Sequence, residues 1–131
     1  MPPSSAPIIA IIDDDASLRR ALGRVMASAS LGYREFGSAE SFLETDVSES
    51  IDCLIADMTM CGLSGPELKQ QLDLIRPGLP MIILTAHDCG EMRQAARVAG
   101  VSAFFRKPVD TEALLDAIHW LVRGTSTAGA A

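Results

Sequence analysis

Five side chains could do chemistry together here: Asp13, Asp14, Asp57, Thr85 and Lys107 each stand at or just past the carboxyl end of a short apolar run. The runs are IIAII at 8–12, IDCLIA at 51–56, MIIL at 81–84 and SAFF at 102–105. As parallel strands they would open onto one rim, where open α/β sheets take their ligands. Carboxylates crowded at such a rim repel one another unless a cation joins them. A hard divalent ion such as Mg²⁺ suits that donor set, since it is usually held by one or two carboxylates and a phosphate oxygen. The lack of clustered His and Cys points away from zinc or copper. Thr85 adds a hydroxyl and Lys107 a point cation, the groups a phosphoryl oxygen needs on its other sides. The set reads as phosphoryl chemistry on an aspartate, with Asp57 as the nucleophile.

The elements that must position these residues follow from periodicity. Leu18, Leu22, Val25, Met26 and Ala29 form a stripe at helical spacing over 16–29, and Arg19, Arg20 and Arg24 fall largely off it. GYREF at 32–36 reads as a second strand, followed by a short helix capped by Ser38. Further helices are expected over 64–75, 90–99 and 111–123, the second stopping at Gly100 and the last burying Leu114, Leu115, Ile118, Leu121 and Val122. Strands alternating with helices predict an α/β fold: a doubly wound (βα)5 three-layer sandwich on a parallel five-stranded sheet of order 2-1-3-4-5. Its switch point, between the first and third strands, is where the aspartates end. MPPSSAP at 1–7 reads as a flexible leader, 8–123 as the domain, and GTSTAGAA at 124–131 as a flexible tail or the start of a linker.

At 131 residues and 48% hydrophobic, the chain can bury one core and no second domain of ordinary size. A net charge of −6 opposes direct nucleic-acid contact, which needs a basic patch. No apolar stretch approaches the ~20 residues of a membrane span and the N-terminus has no signal-peptide pattern, so the expectation is a cytoplasmic protein without membrane contact. Cys53, Cys61 and Cys89 show neither a disulfide framework nor zinc spacing and read as reduced structural thiols.

Taken singly the residues are ordinary. Asp15 reads as a helix N-cap and Phe104 as core; Thr85 would read as a strand residue and Lys107 as an edge lysine, and for these two the joint pattern reverses the reading. IIDDD at 11–15, IDCLIAD ending at Asp57, Met60 with GLSG at 62–65, ILTAH at 83–87 and FFRKP at 104–108 stand in one order and spacing. In that arrangement residues 7–123 resemble the receiver domain of bacterial two-component response regulators, of CheY-like fold, with a lean toward FixJ-type receivers carried by SAESFLE at 38–44.

The resemblance implies roles position by position. Asp57 would accept a phosphoryl group from the phosphohistidine of a sensor histidine kinase or a phosphotransfer protein. Asp13, Asp14, Asp57 and the Thr59 backbone carbonyl would serve Mg²⁺, and Thr85 and Lys107 would hold the phosphoryl oxygens. Thr85 and Phe104 would form the switch, while Thr59 and His87 would tune phosphoryl lifetime. Phosphorylation would then alter the face made by helix 4, strand 5 and helix 5, with homodimerisation or output control as the result. The expectation is a signalling switch that catalyses its own phosphorylation and autodephosphorylation. Cys61 stands where the family usually has proline, which touches loop rigidity rather than ligands, and the Lys107–Pro108 bond is expected to be cis.

Three other readings fit less well. An aspartyl-phosphate phosphohydrolase would need an acid at position 59, where Thr stands, and a substrate cap. A receiver-like module that takes no phosphate would lack one of the acids or the lysine. A nucleotide or flavin binder would carry a glycine-rich loop in place of DDDAS.

Overall fold

The computed structural model describes residues 6–45, 51–60, 62–86 and 90–130, with the side chains of 124–130 outside the description. The apolar runs form five strands, β1 (Ile8–Ile12), β2 (Gly32–Phe36), β3 (Cys53–Asp57), β4 (Met81–Thr85) and β5 (Ala103–Arg106). They pair in parallel in the order β2-β1-β3-β4-β5. The central strands read as continuous hydrophobic runs because both of their faces are covered.

Alternation along the strands divides the core in two. Ala10, Ile12, Leu54, Ala56, Met81 and Ile83 face one way, against α2 (Ala39–Leu43) and α3 (Gly65–Ile75), with Phe42, Leu68 and Leu72 filling the layer. Ile9, Ile11, Cys53, Ile55, Ile82 and Leu84 face the other way, against α1 (Ala16–Ser28) and α5 (Thr111–Ala130), with Leu22, Met26, Leu114 and Ile118 filling that layer. Met92 of α4 (Gly90–Ala99) packs on the first cluster. The three-layer sandwich is therefore present with its expected strand order.

Local chemistry sets the helix ends. The Asp15 carboxylate accepts from the Ser17 and Leu18 amides and Ser38 accepts from the Ser41 amide, both as N-caps. Ser64 and Glu67 form a reciprocal capping box with Pro66 in the first turn of α3. Gly78 and Gly100 follow helices at φ +88° and +86°, a left-handed region that glycine enters without a Cβ clash.

One boundary differs from expectation. α5 continues to Ala130, so residues 124–130, expected as a loose tail, prolong the helix. Glycines at 124 and 129 cost only ~1 kcal/mol each in a helix, and no proline follows to stop propagation. Residues 1–5 of the expected leader, Cys61, His87 and Cys89 lie outside the described residues. Among the described residues no helix is long and apolar enough to cross a membrane.

Candidate functional site

The parallel order brings the strand ends together. Ile12 pairs with Ala56, so Asp13, one residue past β1, stands beside Asp57, the last residue of β3. Thr85 ends β4 in register with Arg106, and Lys107 follows. One carboxylate oxygen from each of Asp13, Asp14 and Asp57 lies within 4.8 Å of the others. Lys107 Nζ donates to Asp13 Oδ2 at 3.2 Å and pairs with Asp57 Oδ1 at 3.4 Å. Four of the five expected chemical groups thus share one cluster, and the fifth, Thr85, is buried at the next strand end.

Each acid is held differently. The Asp13 side chain is 3% exposed; its Oδ1 accepts from the Asp15 amide at 2.9 Å, while its own amide donates to the Phe36 carbonyl at 3.1 Å. Asp14 is exposed on the turn between β1 and α1. Asp57 is half-buried, and burial together with the neighbouring Asp13 charge pushes its carboxyl above the usual 3.8, against the opposing pull of Lys107 and an amide hydrogen bond from Thr59. Burial alone would lower the Lys107 ammonium, but the Asp13 and Asp57 charges outweigh it and raise the group above 10.5. Three carboxylates around one ammonium leave a surplus of negative charge. That surplus, and the all-oxygen donor set, fit a hard divalent cation.

The loop after Asp57 is tied on three sides. The Met58 amide donates to the Leu84 carbonyl at 2.7 Å, the Gly65 amide to the Met58 carbonyl at 3.2 Å, and the Leu63 amide to Glu40 Oε2 of α2 at 3.1 Å. Gly62 sits at φ +89° with the Glu40 carboxylate against its α-carbon, where a Cβ would fall 2.5 Å from Oε2. On the other side of the site the Thr85 hydroxyl donates to Met92 Sδ at 3.7 Å. Phe104 is half-buried in β5 with the Arg93 guanidinium 5.1 Å over its ring, beside a cavity of about 140 Å³ lined also by Arg97 and Val101. The Lys107–Pro108 bond is cis, as expected. Trp120 is 71% exposed on α5, which places it on the surface rather than in the core.

A family model described as "Response regulator receiver domain" matches residues 9–119. The chain belongs to that family. As a receiver domain it is 36% identical over 115 residues to the transcriptional regulatory protein TdiR of Thauera aromatica, covering 88% of this chain and 51% of the relative. To the transcriptional regulatory protein FixJ of Azorhizobium caulinodans it is 31% identical, covering 89% of this chain and 55% of the relative. The chain thus spans about half the length of these relatives. Among solved structures, the response regulator StyR superposes with a TM-score of 0.85 at 37% identity, over 95% of this chain and 63% of that one. A CheY-like receiver protein from Methanospirillum hungatei gives 0.87 at 22% identity over 95% and 99%, which bears on the fold.

One expectation is corrected. The description of the chain as a catalyst of its own phosphorylation and autodephosphorylation goes beyond what the family match supplies: receivers are signalling domains, and membership assigns no enzymatic activity. Two polar residues at the site escaped the sequence reading. Arg19 falls largely off the α1 apolar stripe, yet it folds back onto the carbonyl of Asp13. Glu40 reads as a first-turn acid of α2, yet it holds the loop after β3. Neither contact has a local sequence signal, since each depends on how two elements dock.

Proposed function

We propose that the domain receives a phosphoryl group on Asp57 and converts it into a change of surface on the side of α4, β5 and α5. The observation that carries this is the clustering of Asp13, Asp14, Asp57 and Lys107 at the carboxyl rim of the sheet. In the transfer an Asp57 carboxylate oxygen attacks phosphorus, the P–N bond to a partner's phosphohistidine breaks, and the departing imidazole takes up a proton. Asp13, Asp14, Asp57 and the Thr59 carbonyl would hold Mg²⁺, which when bound offsets the charge of carboxylates and phosphoryl oxygens. Lys107 would pair with a phosphoryl oxygen in place of Asp57 Oδ1, and Thr85 would turn its hydroxyl from Met92 toward the phosphoryl group. Phe104 follows as the responding aromatic, and in this reading Thr59 and His87 affect how long the phosphoryl group persists.

The donor in this reading is a sensor histidine kinase or a phosphotransfer protein. The consequence is homodimerisation or output control, with 8–123 as the receiver unit and no nucleic acid bound by the domain itself. The relatives named as transcriptional regulatory proteins support an output in transcription. Intact-protein mass spectrometry with acetyl phosphate as donor tests it. A single added phosphoryl mass requiring both Mg²⁺ and Asp57 is expected. An adduct that persists in Asp57→Asn, or no adduct together with no binding of beryllofluoride, overturns the proposal.

A further inference from the structure

The β1–α1 turn that carries Asp13 and Asp14 is anchored by a side chain outside the acidic cluster. Arg19 Nη1 donates to the backbone carbonyl of Asp13 at 2.6 Å. That carbonyl belongs to the peptide unit joining the two acids, so fixing its plane fixes the direction in which Asp14 leaves the turn. The guanidinium is in turn steadied on the β2 side. Its Nε lies 3.5 Å from Glu35 Oε1, and its Nη1 would be 3.6 Å from a Cβ placed at Gly37. The Arg19 side chain is only 20% exposed, and Nε is buried with no hydrogen-bond partner, the Glu35 contact being an ion pair and not a hydrogen bond. A long cation brought into this position, at the cost of one poorly satisfied N–H, is not a solvated surface residue.

We infer that Arg19 is a positioning residue for the divalent-cation site, acting through the Asp13–Asp14 peptide and not through its charge. The inference rests on the reading of the acidic cluster as a metal site. It makes a prediction of opposite sign to simple electrostatics. Removing a cation near a cluster of carboxylates should tighten binding of a divalent ion. Removing the anchor of the turn should weaken it, because Asp14 then loses its preset direction.

The test is direct titration of the metal-free protein with Mn²⁺, followed by electron paramagnetic resonance, beside thermal unfolding without metal. Arg19→Met, which keeps the chain length and removes charge and donors, is expected to weaken Mn²⁺ binding roughly tenfold, the lower end of the range for residues that orient metal ligands. Arg24→Met removes an exposed cation from the same helix and serves as the charge control, with affinity unchanged or tighter. If Arg19→Met does not fold, Arg19→Lys decides. It keeps the charge but cannot reach carbonyl and carboxylate with one planar fork, so affinity falls by roughly threefold, a fraction of the full loss. Unchanged or tighter binding in the folded Arg19 variant, with the wild type binding normally, overturns the positioning role alone. No saturable binding by the wild type overturns the metal reading, and this inference with it.

Discussion

The Asp57 carboxyl sits in surroundings that disfavour its charge. Burial and the Asp13 charge raise its carboxyl above 3.8 despite Lys107, so without metal the fold favours the protonated form relative to the unfolded chain. An acid whose folded value is raised adds stability at pH values below its unfolded value and loses it as pH climbs through the folded one. Asparagine keeps the shape and never ionises. Asp57→Asn is therefore expected to melt a few degrees above the wild type at pH 7 in the presence of a chelator, ~1 kcal/mol being worth roughly 4 °C in a domain of this size. The difference should shrink toward zero as pH approaches 4. Differential scanning calorimetry across that window checks it, and a pH-independent difference would assign the gain to something other than the charge. In Mg²⁺ the order should reverse, because the variant lacks a ligand.

At the scale of elements, the sheet was legible because its strands are apolar runs bounded by turn residues, and the helices because stripes such as Leu18, Leu22, Val25 and Met26 keep helical spacing. The rim acids and Lys107 were legible for the same reason: they terminate those runs. What the sequence could not show are contacts made by docking, such as Glu40 on the Leu63 amide or Arg19 on the Asp13 carbonyl, where no period links the partners. The close fit of α3 under β3 is another. Gly65 opens α3, and a Cβ there would run into Ile83 Cδ1 and lie 2.9 Å from the Asp57 carbonyl oxygen. Helix propensity favours alanine over glycine by ~1 kcal/mol. The backbone at Asp57 cannot yield as a flexible side chain would, so overpacking of ~1–3 kcal/mol should win. Gly65→Ala is thus expected to lower the urea midpoint, whereas Gly90→Ala, with nothing within 4 Å of its Cβ, should be neutral or slightly stabilising. A Gly65→Ala midpoint at or above wild type would show that the helix slides without cost.

For the whole molecule, the rim couples distant parts of the chain. Lys107 and Asp13 are 94 residues apart in sequence yet share a hydrogen bond, so the cluster exists only when both core layers are formed. A cation bound there stabilises the folded state and not the unfolded one. The gain grows with concentration, about 1.4 kcal/mol at tenfold over the dissociation constant, or several degrees in melting temperature. A net charge of −6 complicates the measurement, since any salt relieves self-repulsion of the folded chain. MgCl2 must therefore be compared with NaCl at equal ionic strength. The expected result is an excess upward shift with MgCl2 that follows a saturating curve and is lost in Asp14→Asn, a variant that removes one exposed carboxylate and leaves both core layers untouched. Equal shifts from the two salts would mean that the acidic rim is only part of the general negative surface. A saturating excess that survives in Asp14→Asn would leave the site to Asp13 and Asp57 alone, and would remove the reason for the β1–α1 turn to be held so closely.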